Sequence, residues 1–305
     1  MSRFRIPFGS PAPREDGAAI RAAITRVVDS GWYVLGPEVA AFEAAFAAAI
    51  GTRHAVGVGT GTDAIALILR GLDIGPGDEV ITSPLSAAYT ALAVVMAGAT
   101  PVFADIDPIR LTMDPRAVEG LVGPRTRALL PVHLYGQPAD MAPLEAIARR
   151  HNLALVEDCC QAHLATDRGR PVGTIGIAGA FSFYPTKNLG ALGDGGAVVT
   201  RDGDLASRIR RLRNGGQTTR YLHVEAGCNS RLDEMQAADK LAHFRAEGQN
   251  FRGLSFDTIS GAGPNGAVVH YRATEETNRK FDNDSIYLVD SGGQYLDGTT
   301  DVTRA

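Results

Sequence analysis

Cysteine is scarce in this 305-residue chain: Cys159 and Cys160 are adjacent and Cys228 stands alone. Neither a disulfide framework nor a zinc-type spacing can be drawn from that set, so a reduced, cytoplasmic setting is the expectation. No apolar run of about 18 residues occurs, and no membrane-spanning helix is expected. The opening Met1-Ser-Arg-Phe-Arg-Ile-Pro7 lacks an apolar core, which gives the expectation of no secretory leader. Basic blocks are missing too. With a net charge of −4, the chain offers nucleic acid no cationic face, and none is expected as a partner. The one cluster, Arg208, Arg210, Arg211 and Arg213, reads as a solvated helix face. Repeats, low-complexity tracts and Pro/Ser linkers are absent. What remains is ordinary globular composition, 45% hydrophobic and 21% charged. The length suits one large domain plus a smaller one, with a sizeable core.

From about residue 16 to 213, apolar helical periods alternate with short β-branched runs. The periods predict helices at 16–30, 37–50, 61–71, 88–98, 140–151 and 203–213. The β-branched runs predict strands at 54–58, 78–82, 100–104, 127–131, 153–156, 180–183 and 195–199. Such alternation implies an α/β domain around a largely parallel, buried sheet, with ligands beyond the carboxyl ends of its strands. After Asp239 the texture changes. Segments 254–260, 266–271, 285–290 and 293–297 read as short strands joined by Gly-, Asn- and Asp-rich turns, with no clear helix between them.

Three features of the first region share one chemistry. Lys187 lies in Phe181-Ser-Phe-Tyr-Pro-Thr-Lys-Asn-Leu-Gly190, where a strand runs into a glycine-rich turn. Lysine is rarely buried without a task, and burial near other cations would leave it a reactive free amine. Asp158 closes the apolar run Leu153–Val156, with Glu157 between. A buried carboxylate there needs a positive partner, such as a protonated pyridine nitrogen; a helix N-cap is the plainer alternative. Gly59-Thr-Gly-Thr-Asp63 opens an apolar helix, where free N–H groups and the helix dipole suit a phosphate, or simply a capped turn. A Schiff-base amine, a carboxylate for a ring nitrogen and a phosphate cradle are what pyridoxal phosphate asks of a protein. Around them, Tyr89 can stack on the ring, Ser182 can meet the phosphate, and Gln161 or His163 can reach the ring's phenolic oxygen or face. Each also has a plain structural reading, core aromatic or strand hydroxyl.

Residues 1 to about 238 resemble the DegT/DnrJ/StrS family of sugar-nucleotide aminotransferases, which have the fold-type-I architecture of pyridoxal phosphate enzymes. The resemblance rests on Gly31-Trp-Tyr-Val-Leu-Gly36 with Phe42-Glu43, Gly59-Thr-Gly-Thr-Asp-Ala64, Gly75-Pro-Gly-Asp-Glu-Val-Ile81, Gly98-Ala-Thr-Pro-Val-Phe103 and Pro131-Val-His-Leu-Tyr-Gly136. Its most specific stretches are Val156-Glu-Asp158 with Gln161-Ala-His163, Ser182 to Gly190, Gly193-Asp-Gly-Gly196 and Asn229-Ser-Arg-Leu-Asp-Glu234. The resemblance implies that Lys187 is the Schiff-base lysine and the base that moves protons, and that Asp158 partners the ring nitrogen. It implies that Thr60, Gly61 and Ser182 hold the phosphate, that Tyr89 lies against the ring, and that Gln161 belongs to the cofactor site. Asn229 would reach the phosphate of a second subunit, since family sites are shared across a homodimer. A lysine at 187, where dehydratase relatives carry histidine, implies transamination. The substrates would be an amino acid such as glutamate and a keto-sugar nucleotide.

From about residue 239 the chain resembles instead a piece of the catalytic domain of aminopeptidase P, an Xaa-Pro peptidase of pita-bread (α+β) fold. The matching stretches are Phe251 to Gly261, Gly263-Pro-Asn-Gly266, His270-Tyr-Arg-Ala-Thr274, Leu288-Val-Asp-Ser-Gly292 and Gly298-Thr-Thr-Asp-Val-Thr-Arg304. By that likeness Asp290 and Asp301 would be two carboxylate ligands of a dinuclear metal site and His270 a substrate-side histidine; by themselves they read as turn or strand-end residues. The family's site needs a further histidine and two glutamates, so no competent metal centre is expected. The reading is therefore an aminotransferase large domain over 1–238, followed by a partial pita-bread fragment over 239–305 and joined within Gln236–Leu241. Its rivals are a metallopeptidase fragment and an inactive chimera.

Overall fold

The computed structural model describes residues 17–238 and, beyond them, the backbone of three strands at 253–262, 287–295 and 298–304. Helices α1 (Gly17–Ser30) and α2 (Pro37–Ile50) lead into strand β1 (His54–Val58), and helix α3 (Gly61–Gly71) follows. Next come β2 (Glu79–Thr82), α4 (Tyr89–Met96), β3 (Thr100–Phe103), a short α5 (Pro115–Glu119) and β4 (Thr126–Leu130). Then α6 (Met141–His151) leads to β5 (Ala154–Asp158), and β6 (Thr166–Asp167) and β7 (Arg170–Pro171) form a small hairpin. The sheet is completed by β8 (Ala178–Ser182) and β9 (Gly196–Thr200); α7 (Gly203–Leu212) and the hairpin strands β10 (Gln217–Thr219) and β11 (Leu222–His223) follow.

The seven-stranded sheet runs in the order β1-β9-β8-β5-β4-β2-β3. Pairings from β8 through β3 are parallel, and β9 alone runs against its neighbours on both sides. The expected α/β domain with a largely parallel sheet is what forms. Every predicted strand and helix of the first region is present within a few residues of its expected ends. Strands buried on both faces need near-continuous apolar runs, and β8 and β9 are buried at every position. Helix α3 is the central one: Ala64, Ile65, Ala66, Leu67, Ile68 and Leu69 are all buried, in one cluster with Val56, Val156 and Val198. The five-residue α5 and the small hairpins were not expected, because elements this short carry too little periodicity to read.

Two side chains bind distant segments of this domain together. Glu234, 1% exposed, accepts hydrogen bonds from the N–H groups of Gly36 (2.6 Å), Glu38 (2.7 Å) and Val39 (3.1 Å). It satisfies the open donors at the start of α2, where Gly36 has no capping side chain. The arginine cluster corrects the expectation of a solvated face. Arg213 is 7% exposed and pairs with Glu43, donating also to the Gly57 carbonyl, while Glu43 accepts from the Gly57 N–H at 2.9 Å. Arg208 bridges Asp73 and Glu225, and Arg211 also binds Glu225. Charge runs usually mark solvated faces, but α7 packs against α3, β1 and β9, and its arginines and Arg213 just beyond it all find partners on other segments.

In the second region, β12 (Gly253–Ala262), β13 (Tyr287–Tyr295) and β14 (Gly298–Arg304) form an antiparallel sheet in that order. The strands expected at 285–290 and 293–297 are one continuous strand, β13, since Ser291-Gly-Gly293 does not interrupt the ladder. The strand β14 was not foreseen, and that expected at 266–271 lies outside the described residues. Asp290 pairs in register with Thr303, and Asp301 with Gly292; their side chains, and all of His270, fall outside the description. No helix among the described residues is long and apolar enough to cross a membrane.

Candidate functional site

Four pieces meet at the carboxyl edge of the parallel strands. Register puts Val58, Gly196 and Ser182 in one row across β1, β9 and β8, and Asp158 beside Ala180. The turn after β1 is drawn tightly onto this row. A Cβ on Gly61 would stand 2.7 Å from Ser182 Cβ and 2.7 Å from Cys160 Sγ, and one on Gly196 would stand 2.5 Å from the Thr60 carbonyl carbon. Only glycine lets the start of α3 approach this closely. Thr60 caps that helix, its Oγ1 accepting from the Asp63 N–H at 3.0 Å. Ser230 locks the turn from outside, receiving the Gly59 N–H at 2.9 Å and donating to Asp63 Oδ2 at 2.8 Å. The predicted phosphate residues Thr60, Gly61 and Ser182 are thus brought together.

Asp158 is 4% exposed. Its Oδ2 accepts from Thr90 Oγ1 at 2.8 Å and its Oδ1 from the Cys160 N–H at 3.1 Å. A carboxylate has about four lone-pair positions, so two donors leave acceptor capacity for a third. Lys187 is half-buried on the loop that follows β8. Burial pushes the neighbouring Cys160 thiol well above its usual range, the Asp158 carboxylate adds to the rise, and Lys187 opposes it. The phosphate turn and the carboxylate meet at Cys160, whose Sγ would touch a Cβ on Gly61 and whose N–H binds Asp158.

Tyr89 begins α4, directly before Thr90, and is 64% exposed; its ring is open to a flat partner. Gln161 Oε1 accepts the N–H of Tyr135 at 2.8 Å, which holds Tyr135 in a left-handed conformation (φ 55°) that costs a non-glycine residue free energy. With its oxygen so engaged, the amide presents its N–H donors elsewhere, as a phenolic oxygen would need. His163 is instead packed between Phe181 and Phe183, ring centroids 5.3 and 5.9 Å away, which favours its structural reading. Asn229 is exposed, in a bridge with Asn214 and next to the Ser230 that locks the phosphate turn. It joins none of the other site residues within the chain.

Sequence reasoning passed over Glu157 and His133. Glu157 is fully buried, and its carboxylate accepts from Gly173 N (2.8 Å), Ile175 N (2.8 Å), Gly176 N (2.7 Å) and His133 Nε2 (3.1 Å). Since the Ala139 N–H donates to His133 Nδ1 at 3.0 Å, the ring's proton sits on Nε2. The ligand atoms of His133, Glu157 and Cys159 lie within 4.8 Å of one another. All the same, the carboxylate is filled and both imidazole nitrogens are engaged, so the trio is a structural socket. Only the Val-Glu-Asp run hinted at it, and alternation along β5 was the available signal: of two adjacent carboxylates, one must point the other way.

Residues 14–250 match the model of the DegT/DnrJ/EryC1/StrS aminotransferase family, and residues 210–305 that of metallopeptidase family M24. The chain is 53% identical over 262 residues to a dTDP-3-amino-3,4,6-trideoxy-alpha-D-glucose transaminase of Streptomyces venezuelae, covering 84% of this chain and 69% of that protein. Among solved structures it is similar to S. venezuelae DesV in complex with a ketimine intermediate, at TM-score 0.73 and 56% identity, over 76% of this chain and 64% of that one. It also resembles NtdA from Bacillus subtilis with bound cofactor PMP, at TM-score 0.74 and 32% identity, over 79% of this chain and 56% of that one. The chain thus spans a little more or less than two thirds of these relatives' lengths.

Proposed function

We infer the activity from membership: the chain belongs to the DegT/DnrJ/EryC1/StrS aminotransferase family, and we propose that it transaminates a keto-sugar nucleotide with an amino-acid donor such as glutamate. The cofactor the family and its PMP-bound relative indicate is pyridoxal phosphate. When bound, it supplies an electron sink for the carbon that loses a proton. The residues fit it, because the Gly61 and Gly196 contacts close a cradle around the start of α3 while Asp158 keeps acceptor capacity. In this reading Thr60, Gly61 and Ser182 hold the phosphate, Asp158 meets the ring nitrogen, Gln161 donates to the phenolic oxygen, and Tyr89 covers the ring. Lys187 Nζ would hold the cofactor and, once free of it, carry the proton from the donor's amine-bearing carbon to the cofactor's carbon, then in the second half of the exchange from the cofactor's carbon to the sugar carbon that gains the nitrogen. The observation that carries the proposal is the convergence at Cys160, whose Sγ would stand 2.7 Å from a Cβ on Gly61 of the phosphate turn and whose N–H binds Asp158 Oδ1 at 3.1 Å.

We place the aminotransferase domain at 1–238 and a second unit at 239–305, joined within Gln236–Leu241. The overlap of the two family matches, over 210–250, includes that stretch and supports the placement. A homodimer, with Asn229 serving the second copy's phosphate, accords with the exposed apolar side chains of Tyr89, Leu92, Val95 and Met96 along α4. The match at 210–305 supports a second reading, a metallopeptidase fragment in which Asp290 and Asp301 on adjacent strands serve as metal ligands. Absorbance of the purified chain with pyridoxal phosphate, borohydride fixation and peptide mapping test the first reading. A visible band with the label on Lys187 is expected. No band from soluble protein overturns the reading, and manganese-dependent cleavage of an Xaa-Pro peptide would revive the second.

A further inference from the structure

We propose that Thr90, backed by Ser86, is a positioning residue that sets both the carboxylate and the aromatic cover of the cofactor site. The inference rests on the pyridoxal phosphate reading above. Thr90 is 3% exposed, and its single hydroxyl stands 2.8 Å from Asp158 Oδ2 and 2.8 Å from Ser86 Oγ. The direction of the chain follows from chemistry. An ionised carboxylate only accepts, so Thr90 donates to Asp158; Thr90 Oγ1 then has only lone pairs for Ser86, which must donate to it. Hydrogen bonds aligned in this way polarise one another, and one ending on an ionised group is stronger than a neutral pair. The Cys160 N–H fixes the other carboxylate oxygen. Between them the two donors hold the Asp158 plane and leave its remaining lone pairs facing the site.

Position in the fold gives the same hydroxyl a second effect. Tyr89 and Thr90 are the first two residues of α4, whose start at Ala88 has no side-chain cap. The Thr90–Asp158 bond therefore fastens the beginning of α4 to the end of β5, 68 residues away. It sets the spacing between the aromatic ring that covers one face and the carboxylate at the ring nitrogen. A valine at 90 would keep the shape and remove the hydroxyl; a serine would keep the hydroxyl and remove the methyl.

The test uses the full chain as wild type, Thr90→Val, Thr90→Ser and Ser86→Ala. The readouts are the dissociation constant for pyridoxal phosphate and the pH midpoint of the bound cofactor's visible band. Thr90→Val should weaken cofactor binding about tenfold and move the midpoint, Thr90→Ser should stay within about threefold, and Ser86→Ala should lose about two- to threefold. The proposal is overturned if Thr90→Val matches wild type in both readouts, or if Thr90→Ser is as impaired as Thr90→Val, since packing would then explain the loss. Should Thr90→Val not fold, half-exposed Ser86 carries the decision: Ser86→Ala with wild-type affinity and midpoint sinks the relay. A wild-type chain that takes up no cofactor removes the underlying reading as well, whereas a cofactor-binding wild type beside an indifferent Thr90→Val removes only this inference.

Discussion

Glu157 and Asp158 are adjacent on one strand and serve opposite ends. Glu157 points into a closed socket and receives four donors, three of them backbone N–H groups of the 173–176 segment. Asp158 faces the carboxyl edge of the sheet and receives two. A filled carboxylate is structural, because nothing further can bind without displacing a donor. An underfilled one at a strand end has acceptor capacity left for a ligand. The count of donors separates the two roles where residue type and burial do not.

That contrast can be broken at its ends. Lys187→Ala, which should leave the fold intact, should lower turnover by more than about a thousandfold and abolish borohydride labelling; residual labelling at another lysine would show that the site is misassigned. Glu157→Ala strands three amides and an imidazole N–H, so it should cost about 3–5 kcal/mol in denaturant unfolding. Asp158→Ala should cost only about 1 kcal/mol in stability but about a hundredfold in turnover. If the stability losses come out equal, the distinction between socket and site fails.

A smaller effect separates the arginines of α7. Arg213→Ala takes from the largely buried Glu43 its nearer cation, leaving only Arg210 at 3.7 Å, and should destabilise by about 2–3 kcal/mol. Arg208→Ala breaks a pair with Asp73, whose side chain is 77% exposed, and should cost no more than about 1 kcal/mol. Equal melting shifts would return the cluster to a uniformly solvated face. The least effect belongs to the thiols. Burial pushes Cys159 and Cys160 well above their usual range, and Cys228 up more modestly. The folded state then holds these protons more tightly than the unfolded one. Their stabilisation is complete below the unfolded thiol value of about 8.5 and is lost as pH rises beyond it. A thiol reagent at mildly alkaline pH should therefore modify Cys228 first; prior reaction of Cys160 would mean that its surroundings are open.

Much of this was legible from residues alone. Apolar periods and turn residues located the sheet's strands and its longer helices, since both depend on neighbours a few positions apart. Lys187, Asp158 and the Gly59–Asp63 turn were legible because each sits at a strand-to-loop transition. The arginine cluster misled for the same reason that it looked simple: a charge run shows no sign of which side a neighbouring sheet will cover. Thr90, Glu157, His133 and Glu234 were invisible as functional or structural polar groups, since their partners lie from 4 to 198 residues away and most of them are remote.

Chain order thus carried the α/β class, the cofactor chemistry and the change of character near residue 239, all of which rest on short-range pattern. Packing alone chose which carboxylate is closed and which is open, which glycines must admit a neighbouring backbone, and which arginine is buried. Those outcomes depend on donors and volumes converging from remote segments, and a buried polar group takes its role from whatever partners the fold brings to it.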